Sequence, residues 1–149
     1  MRELRFRAWD ETKKLMLTVN DIAWDYRDGK GLAEIMCINP SGCEYDPFEY
    51  RPEHIELLQF TGLLDRNGVE IYEGDIIHSG DNEDLKLVGR RGYVVFEDGC
   101  FEVERREHKV PWNHDKYLPY LDWPSEAFEL CKVIGNVYEN VDLLKTKED

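Results

Sequence analysis

The stretch of this chain that most resembles working chemistry is "YEGDII", residues 72–77, where Glu73 and Asp75 flank Gly74. In an extended backbone, residues two apart point to the same side, so two such carboxylates could share a divalent cation. Asp84-Leu85-Lys86 extends the pattern: two acids and a lysine in the loose order of a metal-dependent nuclease, the acids holding Mg²⁺ and the lysine offsetting charge. Glu73, Asp75 and Asp84 are therefore the candidate residues of a metal-dependent hydrolase. His108, His114 and Asp115 form a second candidate set of three ligands. No Ser/His/Asp or Cys/His arrangement can be picked out by spacing. "GVEIYEG" is not a phosphate loop, because no Lys-Ser/Thr follows its glycines.

Each of these sets has a plainer structural reading, and that reading is preferred. A glycine between an aromatic residue and two isoleucines suits a tight corner feeding a strand. Gly74 would take a backbone conformation closed to other residues, and Asp75 would bond nearby amides. This predicts a positive φ or a bulge at Gly74 and core positions for Ile76, Ile77 or both. A solvated Glu73 would matter little to stability, with Asp75 intermediate between it and the glycine. Asp84 and Lys86 end a polar loop, "SGDNEDLK", whereas a nuclease needs them on a rigid strand. His108 and His114 flank Pro111-Trp112 in a segment without regular periodicity and read as surface histidines. No metal and no cofactor is expected.

The elements that would position these residues are mostly strands. "LRFRAW" alternates Leu4, Phe6 and Ala8 with Arg5, Arg7 and Trp9, the signature of a half-buried strand, and "DETKK" turns it into "LMLTV". "AWDYRDGKGLAEIMCI" repeats the hairpin pattern around residues 28–31. "LLDRNGVEI" predicts a hairpin in which Asn67-Gly68 supply the positive-φ positions, and "GYVVFEDGCFEVE" a second one turning at Asp98-Gly99. The second sets Phe96 against Phe101 and Val94 against Val103, with Tyr93 and Val95 on a wetter face. Ser125 and Asn140 are candidate caps for one or two short helices, the second over "VDLLK". Gly135-Asn136 reads as a bend or bulge in a closing strand. Pro40, Gly42, Pro47 and Pro52 mark the best internal boundary, near 39–54, in what is otherwise a single domain over 1–149.

Composition limits the function classes. The 149 residues are 42% hydrophobic, enough for a core, and carry a net charge of −13. The acids are spread along the chain. The one basic cluster, Arg90, Arg91, Arg105, Arg106 and Lys109, is interleaved with acids, so nucleic acid is an unlikely partner. An acidic decoy of DNA that occupies a host enzyme is an alternative, and it would require carboxylates in rows at phosphate-like spacing. The opening residues have no signal-peptide core, and no apolar run approaches the roughly 18 residues of a membrane span, so a soluble cytoplasmic protein is expected. Cys37, Cys43, Cys100 and Cys131 lack any CxxC pair and read as buried free thiols. Trp112, Tyr117, Tyr120 and Trp123 give "VPWNHDKYLPYLDWP" more aromatic surface than a loop needs. Two readings stay open for them, a cover over the open end of a small barrel or a partner-binding surface.

Four stretches in order, "RFRAWD" (5–10), "QFTGLLDRNGVEIYEGDII" (59–77), "GYVVFEDGCF" (92–101) and "VIGNVYENVDLL" (133–144), resemble the YopX family of phage and prophage proteins of Gram-positive bacteria. Val137 and Val141 stand where the family pattern has Ile and Pro. The resemblance implies a mainly β fold, a bipartite barrel-like arrangement of antiparallel hairpins, with no established activity and no catalytic residues to carry over. The motif residues Arg5, Arg7, Trp9, Thr61, Gly62, Tyr72, Glu73, Gly74, Asp75, Gly135, Asn136, Glu139 and Asn140 are accordingly expected to be structural. Function then points to an accessory protein that binds an unknown protein partner or further copies of itself.

Overall fold

The computed structural model describes residues 3–25, 31–38, 52–79, 91–104 and 130–145. Nine strands account for most of them: β1 (Phe6–Asp10), β2 (Leu15–Asp25), β3 (Gly31–Ile38), β4 (Ile55–Leu64), β5 (Glu70–Tyr72), β6 (Asp75–Ser79), β7 (Arg91–Glu97), β8 (Cys100–Glu104) and β9 (Cys131–Asn136). They form two antiparallel sheets, ordered β3-β2-β1-β4-β5 and β8-β7-β6-β9. The only helical pieces among the described residues are 3-10 turns at Pro52–His54 and Val141–Leu144. The chain divides into two compact units, Met1–Phe60 and Thr61–Asp149. The division expected near 39–54 falls almost wholly outside the described residues, as does the turn at Ser125.

The mainly β expectation holds, but the sheets are not closed into a barrel. A barrel needs its first and last strands to pair. Here each sheet runs out at an end strand instead, β3 and β5 in one, β8 and β9 in the other.

In the first unit β1 lies between β2 and β4, with Ala8 opposite Leu17 on one side and Leu57 on the other. Ala8, Leu17, Ile35 and Cys37 form the buried cluster, and Leu15, Val19, Ile55 and Leu57 pack against it. The expected alternation along β1 breaks at its end, where Ala8, Trp9 and Asp10 are all buried. Asp10 is buried because it closes the turn that follows: its Oδ1 accepts the amides of Thr12 (2.8 Å) and Lys13 (2.9 Å).

In the second unit Ile71, Ile77, Val94 and Cys131 form the core, with Leu63, Phe101, Val103 and Val133 packed against them. Each fully buried aliphatic side chain contributes about 1.5–3 kcal/mol. The β7–β8 hairpin has the expected register, Phe96 opposite Phe101 and Val94 opposite Val103. Its two turn residues, Asp98 (φ 50°) and Gly99 (φ 85°), both take left-handed conformations, a turn whose twist matches that of the flanking strands. The hairpin at Asn67-Gly68 is also present but turns differently. Gly68 has φ +79°, while Asn67 does not have positive φ. The Gly68 amide donates to Asp65 O (2.9 Å) and the Asp65 amide to Val69 O (2.8 Å). This is a three-residue loop with a glycine bulge, selected by the aspartate that opens the turn.

Asn140 does not cap the last turn. Its side chain makes no capping bond there, and its Oδ1 accepts the Asn136 amide instead (3.2 Å). Between β6 and β9 the register shifts at Ile76/Ile77, pairing Gly135 with Ile76 and Val133 with Ile77, so the bulge lies at Ile134, beside the expected Gly135-Asn136.

Two glycines with similar φ separate backbone strain from crowding. A Cβ on Gly68 would meet nothing within 4 Å, whereas one on Gly74 (φ +78°) would lie 2.8 Å from a ring carbon of Tyr138. Gly68→Ala should cost about 1 kcal/mol from backbone strain alone, and Gly74→Ala about 2 kcal/mol or more. Urea unfolding of the two variants checks the order; equal losses would show that Tyr138 yields freely.

Candidate functional site

The corner "YEGD" joins β5 to β6 with only Glu73 and Gly74 between the strands. Gly74 is held from both sides, its amide donating to Val94 O (2.8 Å) and its carbonyl accepting the Val137 amide (2.9 Å). No side chain fits between it and the Tyr138 ring, which explains glycine here better than φ alone. Ile76 and Ile77 both enter the core, as the corner reading predicts. Asp75 is only 1% exposed, and its Oδ2 accepts the Tyr72 amide across the corner (2.8 Å). Glu73 is half-buried. Of the two carboxylates, then, Asp75 is committed to holding the turn. Because it is so deeply buried, Asp75 should weigh more in stability than the intermediate rank expected from sequence.

Across β6, Asp75 is paired with Asn136, which opens the "NVYEN" turn. The Asn136 Oδ1 accepts the amides of Tyr138 (3.0 Å) and Glu139 (2.9 Å), and its Nδ2 donates to Glu139 Oε2 (2.7 Å). The Asn140 amide returns to Asn136 O (2.9 Å). Asn140 packs its side chain onto Gly135, where a Cβ would come within 2.5 Å of Oδ1. Thr61, buried, donates its hydroxyl to Ile71 O (2.8 Å) and accepts the Leu63 amide (3.2 Å). Gly62 is exposed with φ 87°. The Tyr72 hydroxyl donates to Glu70 Oε2 (2.8 Å). In the first unit the Arg5 guanidinium donates to Glu3 Oε2 (2.6 Å) and lies 5.5 Å from the Phe60 ring centre, and Arg7 is half-buried opposite Thr18 and Leu58.

The residue that sequence reasoning missed is Asp65, 4% exposed, which accepts three backbone amides: Asn67 (2.7 Å) and Val69 (2.9 Å) at Oδ1, and Val133 of β9 (3.0 Å) at Oδ2. The local signal was present, since aspartate is favoured at the first position of such a turn. The bond to Val133 crosses 68 positions and had no signal. Burial pushes the Asp65 carboxyl up, but the amides of Val69, Val133 and Asn67, with Arg66 nearby, outweigh it and hold the carboxyl below the ordinary value of 3.8.

Among the described residues no group of three or more His, Cys, Asp or Glu could hold a metal ion. Asp84, Lys86, His108, His114, Asp115, Trp112, Tyr117, Tyr120 and Trp123 lie outside the described residues, as does Cys43. Cys37 and Cys131 are buried free thiols, pushed up to about 11 and about 12 by burial; Asp10 adds to the rise at Cys37. Both stay protonated at neutral pH and are poor nucleophiles. Cys100 is exposed, against expectation, because it sits beside the β7–β8 turn rather than on the inner face of the sheet. No helix among the described residues is long and apolar enough to cross a membrane.

The described chain is thus a two-sheet antiparallel protein whose buried acids and amides mainly serve its turns. The family model described as YopX protein matches residues 5–145, and the chain belongs to the YopX family. Its fold is similar to the crystal structure of protein EF1440 from Enterococcus faecalis, with a TM-score of 0.63 and 26% identity over 97% of this chain and 100% of that one. No curated protein matches the chain.

The Asp65 bonds have a pH signature. A carboxyl whose folded value lies below its unfolded one stabilises fully above the unfolded value and loses that contribution as pH falls through the folded value. The stability difference between wild type and Asp65→Asn should therefore shrink as urea titrations move from about pH 6 to about pH 3. A difference that stays constant over that range would mean the charge on Asp65 is not what the amides stabilise.

Proposed function

We propose that this is a non-enzymatic accessory protein of a phage or prophage, acting in the cytoplasm of a bacterial host by binding another protein or further copies of itself. The observation that carries the reading is how the buried acids of the second unit are used. Asp75 is nearly inaccessible and accepts a backbone amide, and Asp65 accepts three. An aspartate whose acceptor sites are mostly taken, like Asp65, or that solvent scarcely reaches, like Asp75, is poorly placed to hold a metal or pass a proton. The aromatic run Trp112, Tyr117, Tyr120 and Trp123 supports a binding role by composition, since such side chains dominate partner interfaces. The origin of the similar EF1440 structure in Enterococcus faecalis agrees with a Gram-positive host. The scattered bases argue against nucleic acid as the partner.

Expressed with an affinity tag in a Gram-positive host, the protein should enrich the same discrete proteins reproducibly. Calorimetry with Mg²⁺ and Mn²⁺ should show no saturable heat. A saturable heat that Glu73→Gln abolishes, together with cleavage of DNA or RNA by the wild type, would replace this reading with a hydrolase.

A further inference from the structure

The second unit carries two exposed surfaces of opposite charge. One is the β7–β8 hairpin tip. Glu97 and Asp98 are exposed there with Glu102 beside them, and Phe96 is 44% exposed, its ring 4.9 Å from that of Phe101. The other is the Asp65 hairpin together with the start of β9. The Arg66 amide donates to Cys131 O (3.0 Å), which sets Leu130 and Lys132 on either side of that contact. Leu64 (48% exposed), Val69 and Leu130 are its exposed apolar side chains, and Arg66 and Lys132 are exposed cations next to them.

The register places these surfaces apart. His78 of β6 pairs with Arg91 on one side and Lys132 on the other, so the beginnings of β7 and β9 share one end of the sheet. The β7–β8 turn lies at the opposite end and on the far edge. Among the described residues the tip is thus far from the basic surface of its own unit, and a second molecule can bring the two charges together. Two-fold pairing of the basic surfaces would bring Arg66 and Lys132 against their own copies, which like-charge repulsion opposes. We propose that a second copy of this chain docks its β7–β8 tip, Phe96 inward and Glu97 and Asp98 outward, on the Leu64–Val69 hairpin and Leu130. Such a contact closes a two-fold pair if each tip meets the other copy's basic surface, and continues into a ring or a filament if it does not. This rests on the reading that the chain works by binding protein, and it names the surface and the partner.

Sedimentation velocity of the purified full chain over a concentration series tests it. At low salt the wild type should associate, and raising the ionic strength should weaken the association. Arg66→Glu and Glu97→Arg should each weaken it about tenfold or more, and the double variant should recover most of the loss. Phe96→Ser should weaken it without changing its salt dependence. Far-ultraviolet circular dichroism confirms that each variant is folded. A wild type that stays monomeric at its highest soluble concentration would overturn the inference, as would association that neither charge reversal weakens or that the double variant fails to restore. If the chain is monomeric yet still captures a discrete host protein, this inference falls and the binding reading above stands.

Discussion

The second unit depends on one carboxylate. Asp65 opens the β4–β5 hairpin, closes its own turn through Asn67 and Val69, and accepts the Val133 amide from β9. An edge strand leaves a row of backbone groups without a partner, and a buried one without a partner costs about 1–3 kcal/mol. Here Oδ2 of Asp65 serves Val133, while Cys131 O takes the amide of Arg66, the next residue along the same hairpin. The hairpin thus occupies part of the β9 edge without adding a strand to it. The sheet can end at β9 because a turn, rather than another strand, satisfies it.

The corner at Gly74 works by similar means over a shorter distance. Its amide and carbonyl bond to Val94 and Val137, and the Asp75 carboxylate takes the amide of Tyr72. Chain direction changes there within two residues, and β6 starts in register with β7 and β9. Asn136 organises the last turn in the same way. The motif stretches carry Asp, Glu and Asn around Gly, residue types that chemistry also uses, and in sequence they read as structural. In the fold they are places where the backbone turns faster than a ladder of hydrogen bonds can follow, and side-chain oxygens take over from missing carbonyls.

That difference explains what could be read in advance. Strand patterns and turn residues are local, so the hairpin at Asp98-Gly99, the positive φ at Gly74 and the burial of Ile76 and Ile77 were legible. The left-handed conformation was misplaced at Asn67 because the Asn-Gly pair was read without Asp65, whose side chain selects the longer loop. Trp9 alternates with Ala8 yet is buried as Ala8 is, because alternation along one strand does not record what covers its second face. Closure was overestimated for a related reason. Hairpins reveal which strands are neighbours in sequence, but whether β3 and β5 or β8 and β9 meet depends on contacts that no short pattern encodes.

An acidic chain has a particular reason to build its turns from carboxylates. Burying a charge is costly unless it is paired or hydrogen-bonded, and backbone amides at a turn are donors that carry no charge of their own. Asp10, Asp65 and Asp75 are each buried against such donors. These bonds come from backbone amides and use no side chain of the chain's 19 lysines and arginines, which are far outnumbered by its 32 acids. Cations such as Arg66 and Lys132 can then stay at the surface, where a charge opposite to the protein's own has the largest effect on what approaches it. Among the described residues, backbone amides answer Asp10, Asp65 and Asp75 inside, and Arg66 and Lys132 remain at the surface.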